Sequence, residues 1–277
     1  MPVMINSDES ITKIRNFIKE KTGIDINQDK FKKFYAKKIE QIVKEENYNN
    51  FPGLYRDLIT NKNPELIQKI INTVTINETY FFREEEHFRI MVKNILPELM
   101  KIRPPGETIN ILSAPCSSGE EVYSILIHLL ENPYLVKERD FMIVGIDINT
   151  SALETAKKGR YTKGSMRAVP PHLISKYFIK EKNFYRIKNS LQDFVSFENV
   201  NVRDKYSMKR LGKFDIIFSR NMFIYFDEHS RKETIATFYS MLKPEGYLIL
   251  GHTERIPETS EMFLKQKYKN SIIYKKR

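Results

Sequence analysis

Apolar residues recur at helical spacing in the first quarter of the chain and in short continuous runs after it. Ile11, Ile14 and Ile18 mark one face of a first helix, with Gly23 as its stop. Phe31, Tyr35, Ile39 and Ile42 mark one face of a second, read as continuous from Asp29 to Glu46. The polar cluster Asn61, Lys62, Asn63 and Pro64 punctuates before a short helix from Glu65 to about Val74. Residues 1–75 therefore read as an all-helical unit without a catalytic constellation of its own. A joining stretch, 76–86, leads into 87–277, where a helix from Phe88 to Met100 is followed by alternating strands and helices. Ile109–Leu112, Phe141–Ile146, Phe214–Phe218 and Gly246–Leu250 read as buried strands. Glu120–Leu130 and Ser151–Lys158 read as helices, and Tyr268 with Ile272–Tyr274 as a closing strand pair. Alternation of this kind predicts an α/β fold around a parallel sheet. Lys176 to Val202 departs from it. Its runs YFIKE, FYRIK and VSFENVNV are β-rich with local turns, which predicts a small antiparallel insertion at about 173–200.

The stretch from Ile109 to Ser124, INILSAPCSSGEEVYS, carries the first chemical signal. Strand, small-residue loop, helix is the opening unit of a nucleotide-binding sheet. Small side chains let a ligand approach the backbone, and the helix start offers free N–H groups. Glu120 and Glu121 sit at that helix start and would repel a pyrophosphate. They suit a ligand with ribose hydroxyls and no phosphate, such as S-adenosylmethionine. An ordinary strand-to-helix turn is the alternative. Cys116 fits a small-residue role better than a reactive one. Asp147 follows the second strand, where ribose hydroxyls are bound in such sheets. It lies further from the loop than the usual spacing of about 20 residues, which the Glu131–Asp140 loop explains. In the joining stretch TINETYFFREEE, Tyr80, Phe81 and Phe82 are core candidates, whereas Asn77, Thr79 and Arg83 are candidates for a pocket wall.

Composition narrows the class. Hydrophobic residues at 41% and charged residues at 29% describe a globular chain. One cysteine leaves no disulfide framework or multi-Cys zinc site, and the five histidines lack a metal-binding spacing, so no metal is expected. No apolar run approaches the roughly 20 residues needed to span a bilayer. The start, MPVMINSDES, lacks a basic-then-apolar signal, so a cytoplasmic protein is expected. A net charge of +11 favours an anionic partner: nucleic acid, anionic lipid or an acidic protein surface. Lys30, Lys33, Lys37 and Lys44 line the polar side of the second helix, either as a solvated face or as a docking surface.

With these pieces placed, the sequence resembles the CheR family, the S-adenosylmethionine-dependent protein-glutamate methyltransferases of bacterial chemotaxis. The resemblance rests on Asn77–Arg83 (NETYFFR), Ala114–Glu121 (APCSSGEE), Val144–Asp147 (VGID), Ala156–Tyr161 (AKKGRY), Glu198–Val202 (ENVNV) and Phe218–Phe226 (FSRNMFIYF). It implies a Rossmann-like class I methyltransferase sheet with an N-terminal helical domain and a small antiparallel β insertion. It implies S-adenosylmethionine as cofactor, S-adenosylhomocysteine as product, and glutamates on the cytoplasmic methylation helices of chemotaxis receptors as acceptors. Asn77, Thr79 and Arg83 would reach over the cofactor, and Glu120 would contact its amino-acid end. Asp147 would take the ribose hydroxyls, Asn201 and Val202 would flank the adenine, and Arg220 and Asn221 would line the other side. Arg83 and Tyr225 would lie nearest the transferred methyl group. Lys30, Lys33, Lys37 and Lys44 would then guide docking onto acidic receptor helices.

One departure from the family pattern stands out. Ile179–Phe184 is short and lacks glycine, which predicts methylation that needs no receptor C-terminal tether peptide. A monomer without membrane insertion is expected. A nucleic-acid methyltransferase is the rival that the charge suggests. No RNA-binding module is recognisable, however, and no Asn-Pro-Pro-Tyr motif follows the Phe214 strand. A relative without cofactor use is a third reading, opposed by the intact Asn77, Arg83, Asp147 and Tyr225.

Overall fold

The computed structural model describes residues 7–256 and 261–277; the first six positions of the expected helical unit lie outside the described residues. Five helices come first: α1 (Asp8–Thr22), α2 (Gln28–Phe34), α3 (Ala36–Glu45), α4 (Phe51–Ile59) and α5 (Pro64–Val74). Side chains cap most of them. Ser7 Oγ accepts from Ser10 N at 3.2 Å, and Asn27 Oδ1 accepts from Asp29 N at 2.9 Å. The helices share one core through Ile11, Ile14, Phe31, Ile39, Leu54, Leu58 and Ile70.

The single helix expected from Asp29 to Glu46 is two. It breaks at Tyr35, whose φ of −118° leaves the regular helix. The break changes the phase of the apolar face, so Val43 is fully buried while Ile42 sits at its edge. It also turns the Tyr35 ring toward a cavity described below.

After the joining stretch come α6 (Glu86–Ile90), a π-helical turn (Met91–Ile95) and α7 (Leu96–Ile102). The remaining order is β1 (Ile109–Ser113), α8 (Glu120–Leu130), α9 (Pro133–Glu138), β2 (Phe141–Asp147), α10 (Thr150–Lys158), β3 (Arg160–Thr162), α11 (Pro171–Tyr177), β4 (Phe178–Lys180), β5 (Phe184–Ile187) and α12 (Asn189–Gln192). It closes with β6 (Val195–Asn199), α13 (Lys205–Arg210), β7 (Phe214–Ser219), a 3₁₀ turn (Phe223–Tyr225), α14 (Glu228–Met241), β8 (Leu242–Leu250), β9 (Phe263–Tyr268) and β10 (Ser271–Lys276). Among the described residues no helix is long and apolar enough to cross a membrane.

The seven-stranded sheet has the order β6-β2-β1-β7-β8-β10-β9. Pairings from β6 to β8 are parallel, and β10 is antiparallel to both β8 and β9. Every residue of β7 is buried, as a strand covered on both faces requires. From β1 the chain winds one way through β2 to β6, then returns to β7 on the other flank of β1. That reversal makes the carboxyl ends of β1 and β7 the switch point where such sheets bind ligands.

Two assignments differ from the sequence reading. Val195–Asn199, expected in the antiparallel insertion, is an edge strand of the main sheet, parallel to β2 from Ile143↔Val195 to Asp147↔Asn199. The three-stranded sheet is β3-β5-β4, so it draws in Arg160–Thr162 and ends at Ile187. An edge strand alternates polar and apolar side chains, as an insertion strand does. Local pattern could not separate the two.

Candidate active site

The loop Ala114–Gly119 leaves β1 and turns into α8 under the joining stretch. Gly119 adopts φ 89°, a left-handed conformation, and a Cβ there would lie 2.8 Å from the Cβ of Ala156. Only glycine fits that corner without displacing α10. Cys116 N donates to Ile146 O at 2.8 Å, and Ser117 N donates to Asp147 Oδ2 at 2.8 Å, so the loop is hung from the end of β2.

Two contiguous cavities open at the carboxyl ends of the strands. The larger, of about 350 Å³, is walled by Ile146, Asp147, Val200, Asn201 and Val202 on the sheet side and by Asn221, Tyr225 and Phe226 opposite. Its third wall comes from the N-terminal helices: Ile24, Asp25, Asn27, Lys30 and Tyr35. The smaller, of about 80 Å³, is walled by Thr79, Tyr80, Arg83, Cys116, Glu121 and Arg220. Ile76, Pro115, Ser117, Asn221 and Tyr225 border both.

The expected residues therefore converge, with one exception. Asn77, Asp147, Asn201 and Val202 reach the larger cavity, Thr79, Arg83 and Arg220 the smaller, and Asn221 and Tyr225 both. Glu120 lines neither. Its carboxylate is buried, with Oε2 accepting from Ser118 Oγ at 2.7 Å, and burial pushes its pKa up. The α8 acid facing the smaller cavity is Glu121, one residue and about 100° further round the helix; Glu78 of the joining stretch lines the same cavity. Of the lysines, Lys30 stands at the mouth of the larger cavity; Lys33, Lys37 and Lys44 lie on the exposed side of α2 and α3. Lys44 is partly neutralised by Glu40 at 3.1 Å.

Charge is concentrated around Arg220. Its guanidinium is 3% exposed and meets Glu84 Oε2 at 3.3 Å and Glu121 Oε2 at 3.0 Å. It also donates to the main-chain oxygen of Arg83 and lies 5.2 Å from the ring centre of Phe88. Glu121 Oε1 accepts from Ser113 Oγ at 2.7 Å; burial pushes that carboxyl up while Arg220 pulls it back. His87 is buried beside this cluster, and burial followed by repulsion from Arg220 and His252 holds it down to about 3. Glu84, His87 and His252 bring possible metal-ligand atoms within 4.8 Å of one another. The Arg220 cation already occupies Glu84 there.

Asp147 is 5% exposed, and its two oxygens accept from Ser117 N and Asn149 N, both at 2.8 Å. Burial pushes its pKa up, against those amide hydrogen bonds. Burial, and then the charges of Asp147 and Glu121, push the Cys116 thiol well above its ordinary range, which leaves it an inert wall.

Sequence reasoning missed the contribution of residues 24–35. The segment is tied to the loop after β7: Asp25 N donates to Tyr225 O at 2.8 Å, and Ile24 bridges Phe226. Lys19 joins Asp25 at 2.8 Å and Asp227 at 3.1 Å, and Asn201 Nδ2 donates to Lys21 O at 2.6 Å. The one local signal is that Gly23 to Asn27, GIDIN, is a short break between helices that alternates isoleucine with glycine, aspartate and asparagine.

Comparison with known proteins bears on this arrangement. The family model described as CheR methyltransferase, SAM binding domain, matches residues 77–272. "Chemotaxis protein methyltransferase 2" of Vibrio cholerae is 34% identical over 277 residues, covering 100% of this chain and 96% of its own length. "Chemotaxis protein methyltransferase" of Campylobacter jejuni is 37% identical over 255 residues, 91% of each chain. A protein of that same description from Borreliella burgdorferi is 32% identical over 92% of this chain and 90% of its own.

Proposed function

We propose, from the premise that the chain belongs to the CheR methyltransferase family, that it transfers a methyl group from S-adenosylmethionine to glutamate side chains of chemotaxis receptors, giving methyl esters. The observation that carries this reading is the pair of joined cavities. One has the size of a small-molecule site, with an apolar wall and the buried carboxylate of Asp147. The other brings Arg83 beside Tyr225. The residues fit a nucleoside without phosphate. Ile146, Val200, Val202 and Phe226 offer an apolar slot, Asp147 an acceptor for hydroxyls, and Glu121 an acid near an ammonium group. When bound, S-adenosylmethionine supplies a methyl group activated by its sulfonium.

The acceptor needs little activation. A glutamate carboxylate has a reference pKa near 4.3 and is already ionised at neutral pH, so no general base is required. An anion attacking a cation loses charge in the transition state, so alignment and water exclusion govern the rate. Arg83 orients the acceptor carboxylate by charge-assisted hydrogen bonds. Tyr225 fixes geometry with its hydroxyl and excludes water with its ring. The test is incubation with labelled methyl donor and receptor cytoplasmic fragments. A carboxyl ester releases the label in mild base; a base-stable label would overturn the reading.

Docking is assigned to Lys30, Lys33, Lys37 and Lys44. Reversing Lys33 and Lys37 to glutamate should raise KM for an acidic receptor fragment several-fold, more at low salt, and leave cofactor Kd unchanged. An unchanged KM removes the stripe from the reading. Tether independence is supported by the compact hairpin between β4 and β5. Glu181 N donates to Phe184 O at 2.8 Å, and Glu181 is held by Arg160 at 2.7 Å and Arg186 at 3.1 Å. Calorimetric titration with a receptor C-terminal pentapeptide should give no heat of binding; micromolar binding would reverse this part of the proposal.

A further inference from the structure

The loop after β7 carries Asn221 and Tyr225 into both cavities, yet its backbone is irregular. Asn221 has φ 59°, and Phe223–Tyr225 is a single 3₁₀ turn. Such a loop needs partners for main-chain N–H groups that no helix or strand satisfies. The partner is a side chain from the neighbouring loop. Glu254, 4% exposed, follows β8, whose Leu250 is paired with Ser219 at the end of β7. Its Oε2 accepts from Asn221 N at 2.7 Å and Gly251 N at 2.9 Å, and its Oε1 accepts from Phe223 N at 2.7 Å.

Glu254 lines neither cavity. Gly251 makes room for it: a Cβ there would lie 2.8 Å from Glu254 Oε2 and 2.9 Å from Asn221 Nδ2. Every one of these partners is a donor, so an ionised carboxylate, which only accepts, matches the set. Burial raises the carboxyl's pKa, and the amide hydrogen bonds counter that rise.

We infer that Glu254 is a positioning residue for methyl transfer, holding the Asn221–Tyr225 turn so that Tyr225 stands at the junction of the two cavities. The inference rests on the reaction proposed above. Glu254→Gln keeps the size but sets an NH₂ group against main-chain N–H donors. Its kcat, counted per site that binds S-adenosylhomocysteine, should fall about 10- to 100-fold. Combined with Tyr225→Phe, the loss should be smaller than the product of the two single losses, because both act through one hydroxyl. With 3-fluorotyrosine incorporated, the fluorine resonance of Tyr225, assigned by its loss in Tyr225→Phe, should shift or broaden.

A kcat per site equal to wild type, fully multiplicative losses, or an unmoved Tyr225 resonance would each overturn the positioning role. Should Glu254→Gln not fold, Glu254→Asp draws the carboxylate back from the same amides and should move the same resonance; an unmoved resonance there is equally decisive against it. A wild-type enzyme that forms no base-labile ester defeats the proposed reaction instead, and the fluorine comparison still decides the role of Glu254.

Discussion

Replacing Arg83 by alanine should cut methyl transfer about 10²- to 10³-fold, the range seen when a preorganised charge partner is removed from a reacting site. Cofactor affinity should change by less than about threefold, and stability by no more than about 0.5 kcal/mol, as for other surface side chains. The geometry separates these effects. The Arg83 guanidinium, on a partly exposed residue, borders the smaller cavity and donates to Glu78 O at 2.8 Å, with the Tyr80 ring centre 6.0 Å away. Its structural contribution runs through its main chain, because Arg220 bonds the Arg83 carbonyl oxygen, which alanine retains. The backbone there is strained on both sides, with Phe82 at φ 61° and Glu84 at φ 53°. Phe82 N donates to Ser124 Oγ at 3.0 Å and Phe81 N to Ser165 O at 3.0 Å, which anchors the strained turn independently of the Arg83 side chain. Single-turnover rates and S-adenosylhomocysteine titration check the expectation. A rise in Kd on the order of 100-fold would make Arg83 a cofactor ligand rather than an orienting group.

Replacing Arg220 by alanine should instead act on the fold. Two carboxylates, Glu84 at 17% and Glu121 at 12% exposure, would lose their shared cation. Breaking a buried pair this way costs about 3–5 kcal/mol, a large share of a typical domain's 5–15 kcal/mol. The melting temperature should fall by roughly 10 °C for a chain of this size. Glu121 sets the pH dependence. Burial already pushes its pKa up, and Arg220 is the principal opposing charge, so the variant's Glu121 titrates higher still. A carboxyl raised above its unfolded value destabilises the fold as pH climbs through that raised pKa. The deficit is therefore smallest in mild acid and full at neutral and higher pH. Adding Glu121→Gln should recover part of the loss at neutral pH, because one unpaired charge is gone. Denaturant titrations across pH check the sign; a deficit that grows as pH falls would show that Glu121 is not the group responsible.

How legible the site was depends on how each residue is held. The strand-loop-helix at Ile109–Ser124 could be read because its signals are local: an apolar run, small residues, then helical spacing. Asp147 and Asn221 could be placed because parallel strands are buried on both faces, and their ends announce themselves where the apolar run stops, whereas Tyr225 came only from the family resemblance. Glu84, His87 and Glu254 gave no such notice. Each looks like a surface polar residue until Arg220, or the amides of a distant loop, arrive beside it. Glu120 and Glu121 were indistinguishable in composition and separated only by the rotation between adjacent helix positions.

By itself the sequence determined the alternation of strands and helices, the parallel character of the central strands and the group of residues gathered at their ends. Hydrophobic periodicity and turn chemistry act over a few residues and survive without any partner. The tertiary structure alone decided which sheet Val195–Asn199 joins, which acid faces the cavity, and that Ile24 to Tyr35 closes the larger cavity from nearly two hundred residues away. Those outcomes are set by pairings between surfaces that local patterns leave equivalent, and the packing of β6 on β2 and of Asp25 on Tyr225 selects among them.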